Sequence, residues 1–204
     1  MKDLGEIGEF LGIKFKSIPG NKAMTMSQRR YIEKLAIEFN LSNADRVDKL
    51  AQMDTINLYD EPVDEELVRS GRYRSIVGAL LYVSNMTRPD ISAAISFLSR
   101  FLDRPSRRAW NYAKQILKYL ITTKDKCLIL GDLDSQTNLI TYVDANFAPL
   151  GDRKSKSGVL VRLKGSTVGW QSKKQKVVAT STTEAEYIAL WIATSETLWI
   201  QQLL

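Results

Sequence analysis

Histidine is absent from all 204 residues of the chain, and cysteine occurs only once, at Cys127. The first absence removes imidazole as a metal ligand or general acid, so carboxylates are left as the plausible metal-binding groups. The single cysteine excludes a disulfide bond within the chain, which fits a reducing compartment. No apolar run approaches the length of a membrane span, and the charged residues Lys2, Asp3 and Glu6 do not fit a secretory signal. We therefore expect an intracellular protein without membrane contact.

The remaining composition is that of an ordinary globular protein, with 44% hydrophobic and 25% charged residues. The formal net charge is +6, and much of the excess lies in one segment without acidic residues, which we call the basic strip. A solvated surface is the ordinary interpretation of such a segment, but it also suits contact with nucleic-acid phosphates. The nearby aromatic residues Phe147 and Trp170 favour the second interpretation. The basic strip comprises Arg153, Lys154, Lys156, Arg162, Lys164, Lys173, Lys174 and Lys176.

The N-terminal part alternates between β and helical patterns. Residues 9–15 and 23–26 read as two strands around a turn, which predicts a β-hairpin. Ser27 is expected to cap a helix that runs to Asn40. Residues 41–64 have weak periodicity and many polar side chains, so we predict an extended connector there.

The middle of the chain carries three apolar stripes at helical spacing. They predict a first helix from Arg72 to Met86 and two more that begin near Pro89 and Pro105. We expect the three stripes to form a common core. A short strand is predicted at residues 126–130. The outer face of the third helix carries basic candidates for contact with a nucleic-acid backbone, namely Arg107, Arg108, Lys114 and Lys118.

The C-terminal part begins with alternating residues 139–143, which predict a strand with Asp144 at its end. Further β-type segments at residues 158–163, 167–170 and 177–180 predict two or three short strands, and a helix follows. The chain as a whole is therefore predicted to be an α+β protein with a hairpin, a helical middle, and a C-terminal unit of three antiparallel strands packed by a helix.

Two acids of this unit are candidates for one metal site. Ser181 followed three residues later by Glu184 predicts a capping box at the helix start, and Glu186 lies two residues further on. Because residues two apart on a helix point about 200° apart, both glutamates cannot face one ion. We therefore predict that Glu184 turns back to its own helix start, while Glu186 approaches Asp144 on one face of the sheet.

Four segments of the chain resemble a known family: YVDANFA, DRKSKSG, WQSKKQKVVATSTTEAEY and LWIQQLL. They are similar to the ribonuclease H portion of the polyprotein of copia-type LTR retrotransposons, where the block reads roughly YxDADWA, DRKSTSG and SKKQ..VA.SSTEAEY. Upstream, MKDLGEIGEFLGIKF and YRSIVGALLYVSNMTRPDI resemble the end of the reverse transcriptase and its connecting region. The resemblance covers nearly the whole chain.

The resemblance implies a division of the chain and a chemistry. Residues 1–40 match the end of the palm with a primer-grip-like hairpin and the first thumb helix, 41–71 a connector, 72–133 the helical thumb and connection region, and 134–204 a ribonuclease H-like domain truncated after its first helix. Family members copy RNA into DNA and cleave the RNA of RNA/DNA hybrids with Mg²⁺ or Mn²⁺. The matching catalytic and metal-binding residues are Asp144 and Glu186.

The same resemblance implies partners and a location. We expect RNA/DNA hybrid or duplex nucleic acid as the partner, and a cytoplasmic virus-like particle or the nucleus as the location. The expected nucleic-acid contacts are Arg153, Lys154, Lys156, Lys173, Lys174, Arg107 and Arg108.

Departures from the family pattern qualify the expected activity. The family's DAD is Asp144-Ala145-Asn146 here, its following Trp is Phe147, and Lys156 replaces a threonine. The polymerase aspartates and the later ribonuclease H carboxylates are expected outside the chain, so the chain alone is predicted to be inactive unless joined to the missing polyprotein parts. Two alternatives stay open: a non-catalytic nucleic-acid-binding module, and a decayed retrotransposon open reading frame.

Overall fold

A computed structural model describes residues 5, 7–20, 22–42, 45–50, 57–131, 133, 138–148 and 153–204. These residues form the α+β architecture that the sequence predicts. The strands are β1 (Glu9–Phe10), β2 (Ile13–Ser17), β3 (Ala23–Ser27), β4 (Leu128–Gly131), β5 (Leu139–Asn146), β6 (Lys156–Leu163) and β7 (Ser166–Lys174). The helices are α1 (Arg29–Glu38), α2 (Glu65–Ser70), α3 (Arg72–Met86), α4 (Ser92–Leu98), α5 (Arg107–Thr122) and α6 (Thr182–Leu203), with 3-10 turns at Pro89–Ile91 and Ser99–Phe101 on either side of α4.

The predicted hairpin is part of a four-stranded antiparallel sheet in the order β1-β2-β3-β4. The fourth strand comes from far along the chain and pairs Ala23 with Gly131 and Met26 with Leu128. Gly131 has a φ of +150°, and a Cβ atom built there would lie 2.4 Å from the Cα atom of Ala23. Glycine is therefore required where β4 approaches β3.

The main core lies between α1, α3, α4 and α5 and confirms the predicted helical middle. Ile76, Leu80, Ile95, Ile116 and Leu117 are among its fully buried members. Their burial follows the helical spacing of the apolar stripes, because residues three and four apart share one face. At about 25 cal/mol per Å² of buried apolar surface, such side chains supply much of the driving force for folding.

The C-terminal sheet has the order β5-β6-β7 and is antiparallel throughout. One face is covered by α6, which buries three alanines at four-residue spacing: Ala185, Ala189 and Ala193. Because these side chains are small, the helix approaches the sheet closely and leaves its larger apolar residues at the sides. The predicted unit of three strands and a helix is thus confirmed.

The opposite side of this sheet is joined to the helical middle by polar contacts. The indole Nε1 of Trp170 donates to the carbonyl of Ser84 at 2.9 Å, and Ser96 Oγ donates to the carbonyl of Ser172 at 2.7 Å. Among the residues that the structure describes, no helix has the length and apolarity needed to cross a lipid bilayer.

Two local predictions were wrong. Residues 177–180 form an irregular segment rather than a strand, because the side chain of Gln175 is buried against Ser157 and Ala185 and the chain turns there toward α6. Ser27 ends β3, and Gln28 occupies the N-cap of α1 without a side-chain capping bond. Its Oε1 atom instead accepts a hydrogen bond from Thr87 Oγ1 at 2.8 Å.

A short helix, α2, follows the predicted extended connector of residues 41–64 and lies within residues 41–71, which the resemblance assigns to a connector. Asp64 caps α2 by accepting a hydrogen bond from the N–H of Leu67 at 3.2 Å. Gly71 closes the helix with a φ of +65°. Asp at the N-cap and Gly at the end are ordinary helix signals, so this helix could have been found from the sequence.

Candidate active site and basic surface

The two predicted ligand residues are brought to one end of strand β5. Asp144 lies near that end and is exposed, while Glu186 lies in the first turns of α6. The Oε1 atom of Glu186 accepts a hydrogen bond from the backbone N–H of Ala145 at 3.3 Å, across 41 positions of sequence. The carboxylate of Glu186 therefore reaches the residue next to Asp144. Their role as metal ligands stays a prediction.

The side chain of Asp144 belongs to the sheet face that lies away from α6. The preceding residue, Val143, packs in the small core beneath α6, and successive strand residues point to opposite faces. Asp144 also lines a cleft of about 330 Å³ together with Pro89 and Ser92 from the segment that opens α4. One shared face for both carboxylates is therefore not confirmed, and the two acids reach the end of β5 from different sides.

Glu184 is held at the start of its own helix, as predicted. Ser181 Oγ accepts a hydrogen bond from the N–H of Glu184 at 3.1 Å, and Glu184 Oε2 accepts bonds from the N–H and hydroxyl of Thr180 at 2.6 and 2.7 Å. The Thr180 hydroxyl and then its N–H hold the pKa of the Glu184 carboxyl below its usual value. In the usual capping box the carboxylate returns to the N-cap itself, whereas here it reaches one residue further back.

The described ranges contain no group of three or more His, Cys, Asp or Glu side chains that could hold a metal ion. Asp144 and Glu186 offer the oxygen donors that Mg²⁺ prefers. Two carboxylates supply only a minority of the six ligands of an octahedral ion, so the rest must come from water, substrate or further acids. The residues present therefore fit part of a magnesium site.

The basic strip divides into exposed and buried members. Arg153, Lys173 and Lys176 are exposed, as their predicted contact with phosphates requires. Lys156 is only 7% exposed, and its ammonium lies 5.4 Å from the ring centroid of Phe97 in α4. Because Lys156 lies under a helix, its side chain is not presented to solvent as the sequence interpretation assumed.

The basic residues of α5 are partly neutralised by neighbours. Arg108 forms an ion pair with Glu61 at 2.8 Å, and a longer contact of 3.7 Å joins Arg107 to Asp64. Lys114 lies 5.7 Å from the ring centroid of Trp110, and its pKa is lowered by burial and then by neighbouring cations. This face therefore offers less uncompensated charge to phosphates than the sequence indicated.

One exposed aromatic residue near the basic strip did not figure among the sequence predictions. Trp191 on α6 is 71% exposed and lines a groove of about 470 Å³ together with Lys173 and Lys176. Large residues at the sides of an alanine-packed helix could have been recognised from the four-residue alanine spacing.

Comparison with known proteins gives several relatives. The chain is 38% identical over its full length to the Retrovirus-related Pol polyprotein from transposon TNT 1-94 of Nicotiana tabacum, of which it spans 16%. It is 38% identical over 92% of its length to a putative transposon Ty5-1 protein of Saccharomyces cerevisiae, of which it spans 60%. An uncharacterized mitochondrial protein of Arabidopsis thaliana is 31% identical over 98% of the chain and 80% of its own length. No family model and no solved structure matches the chain.

Proposed function

Because the chain belongs to the copia-type retrotransposon Pol polyproteins, we propose that it is a reverse transcriptase and ribonuclease H segment that binds RNA/DNA hybrids. In this proposal Asp144 and Glu186 supply two carboxylates of the ribonuclease H site. The observation that carries it is the bond between Glu186 and the N–H of Ala145, because it joins the helix acid to the strand end that bears the other acid.

The metal in this proposal is Mg²⁺ or Mn²⁺, held in part by Asp144 and Glu186. When bound, such an ion supplies Lewis-acid stabilisation of the phosphodiester and lowers the pKa of a bound water. Asp144 and Glu186 would set the position of the positive charge of the ion, and the N–H of Ala145 orients the Glu186 carboxylate. Further carboxylates from the polyprotein would complete the coordination, so the chain alone is proposed to be inactive.

Metal binding can be tested by adding Mn²⁺ to isotope-labelled protein and following the broadening of NMR signals. We expect selective broadening near Ala145, and its loss in Glu186→Gln. Glu184→Gln is the matched control, because Glu184 is bound to Thr180 and should leave the broadening unchanged. Equal broadening in all three proteins would contradict the assignment of Glu186 as a ligand.

The inactivity of the isolated chain can be tested with a labelled RNA/DNA hybrid, in Mg²⁺ and in Mn²⁺. We expect no cleavage above background in either metal, because the chain supplies too few carboxylate ligands and a higher ion concentration does not replace them. Asp144→Asn controls for a contaminating nuclease. Metal-dependent cleavage that disappears in Asp144→Asn would show that this chain completes a site by itself.

A second candidate function is a non-catalytic nucleic-acid-binding module, favoured by the exposed basic residues Arg153, Lys173 and Lys176. Both candidates predict an affinity for hybrid that falls as salt is raised, because phosphate contacts release counterions. They differ in Mn²⁺ binding, which the second does not require. Affinity that is absent, or unchanged between low and high salt, would contradict both and leave a decayed reading frame as the better interpretation.

A further inference from the structure

The groove beside α6 combines an exposed indole with lysine side chains. One wall is formed by the end of β7 and the segment after it, including Lys173, Lys174 and Lys176. The other wall is the flank of α6 that carries Ile188, Trp191 and Ile192. Its volume of about 470 Å³ lies in the range of small-ligand sites.

The charges in this groove differ from those on α5. In the part of the chain that the structure describes, Lys173 and Lys176 form no ion pair, whereas Arg107 and Arg108 both contact carboxylates. Glu196 is the acidic residue among those that line the groove. It also lines the neighbouring groove, so it lies where the two grooves meet.

The combination of lysines with an exposed tryptophan matches single-stranded nucleic acid. Proteins that bind single strands pair a positively charged groove with aromatic side chains on which bases stack. Trp191 is 71% exposed, so its ring is available for a base to stack on. The bases within a duplex are already stacked on each other, whereas those of a single strand can stack on the indole. An acidic peptide would also suit the lysines, but it would not require the indole in the same way.

We propose that this groove binds an unpaired stretch of nucleic acid, with a base stacked on Trp191 and phosphates contacting Lys173 and Lys176. This inference rests on the proposed nucleic-acid-binding function and assigns it a separate site for the single-stranded end of a hybrid. Base stacking is tolerant of sequence, so little preference among the four bases is expected.

The matched control lies on the same helix. Trp199 is 57% exposed and lines the neighbouring groove of about 520 Å³ with Val168 and Leu203. No lysine or arginine lines that groove among the described residues. Replacing Trp199 with leucine therefore removes an exposed indole of α6 without touching the proposed site.

The test measures fluorescence anisotropy with three labelled ligands: a single-stranded oligothymidylate, a fully abasic strand of the same length, and a blunt RNA/DNA hybrid. Trp191→Leu should weaken binding of the oligothymidylate by about 5- to 150-fold, the range expected for one stacked base. Its affinities for the abasic strand and the blunt hybrid should stay unchanged. Trp199→Leu should leave all three affinities unchanged, and circular dichroism checks that both variants are folded.

The outcomes separate this inference from the proposed function. If the wild type binds the hybrid but Trp191→Leu and Trp199→Leu bind the oligothymidylate equally, the groove assignment is wrong and the proposed function stands. If the wild type binds neither hybrid nor oligothymidylate, both are wrong. Labelled polyglutamate serves as a fourth ligand. If Trp191→Leu weakens binding of polyglutamate but not of oligothymidylate, the groove is a site for an acidic protein segment and the inference is overturned.

Discussion

Removing the Asp90 carboxylate should destabilise the fold more than removing any exposed acid. Asp90 lies between α3 and α4 and is bound to Arg88, whose Nε and Nη2 atoms donate to its two oxygens at 2.9 and 2.7 Å. The hydroxyl of Tyr119 donates to the same carboxylate at 2.8 Å. The side chain of Arg88 is 3% exposed and that of Asp90 33%, so Asp90→Ala leaves a buried guanidinium without its charge partner.

The expected cost follows from that burial. Removing one partner of a buried ion pair costs about 3–5 kcal/mol, and the partial exposure of Asp90 places the expectation near 3 kcal/mol. Asp103→Ala is the matched control, because Asp103 pairs with Arg74 at 2.8 Å in an ion pair whose side chains are 66% and 90% exposed. An exposed pair of this kind contributes about 0–1 kcal/mol.

Urea unfolding followed by circular dichroism measures the free energies of unfolding of Asp90→Ala and Asp103→Ala. Repeating the measurement at different pH values provides a second check. Burial alone would raise the pKa of Asp90, but the hydrogen bonds from Arg88 and Tyr119 outweigh it and lower the pKa. A depressed carboxyl pKa stabilises the fold above the unfolded value of about 3.9, and this contribution is lost as pH falls through the folded pKa. The gap between wild type and Asp90→Ala should therefore narrow below about pH 4. Equal effects of Asp90→Ala and Asp103→Ala at pH 7 would refute the reasoning.

Four further outcomes follow from the local geometry. Gly131→Ala should destabilise the protein by at least about 2 kcal/mol in urea unfolding, since its backbone conformation favours glycine and the backbone of β3 lies 2.4 Å from the added atom. Gly78→Ala, in a helix and facing open space, should instead stabilise it by about 0.5–1 kcal/mol. Ser181→Ala should cost about 1 kcal/mol through loss of the α6 cap. Thr180→Val should raise the pKa of Glu184 toward its usual value in an NMR titration, because the hydroxyl bond that lowers it is lost.

The features that the sequence predicts well depend on contacts between residues close along the chain. The helix α3 begins at Arg72 and ends at Met86 as predicted, because its apolar residues recur three and four positions apart. The cap of α6 at Ser181 was likewise readable from a four-residue pattern. In both cases the signal lies within one or two turns.

The features that could not be predicted depend on distant parts of the chain. The pairing of β3 with β4 joins Thr25 to Ile129, and nothing local in either strand specifies its partner. The sequence predicts that Glu186 approaches Asp144 on one face of the sheet. Glu186 does reach the end of β5 beside Asp144, but the Asp144 side chain lies on the face away from α6. The side on which Asp144 lies depends on strand alternation and on where α6 packs, which only the folded sheet determines.

The burial of Lys156 shows how a departure from the family motif can serve structure instead of the basic surface. On β6 its neighbour Ser157 is also buried, so this end of the strand is enclosed on both faces. The ammonium of Lys156 lies 5.4 Å from the ring centroid of Phe97 in α4. The residue before Phe97, Ser96, donates its hydroxyl to the carbonyl of Ser172 in β7. Lys156 therefore belongs to the contact between α4 and the C-terminal sheet. Because the cleft that contains Asp144 is bounded by that same sheet and the start of α4, this contact helps to set the position of the candidate site.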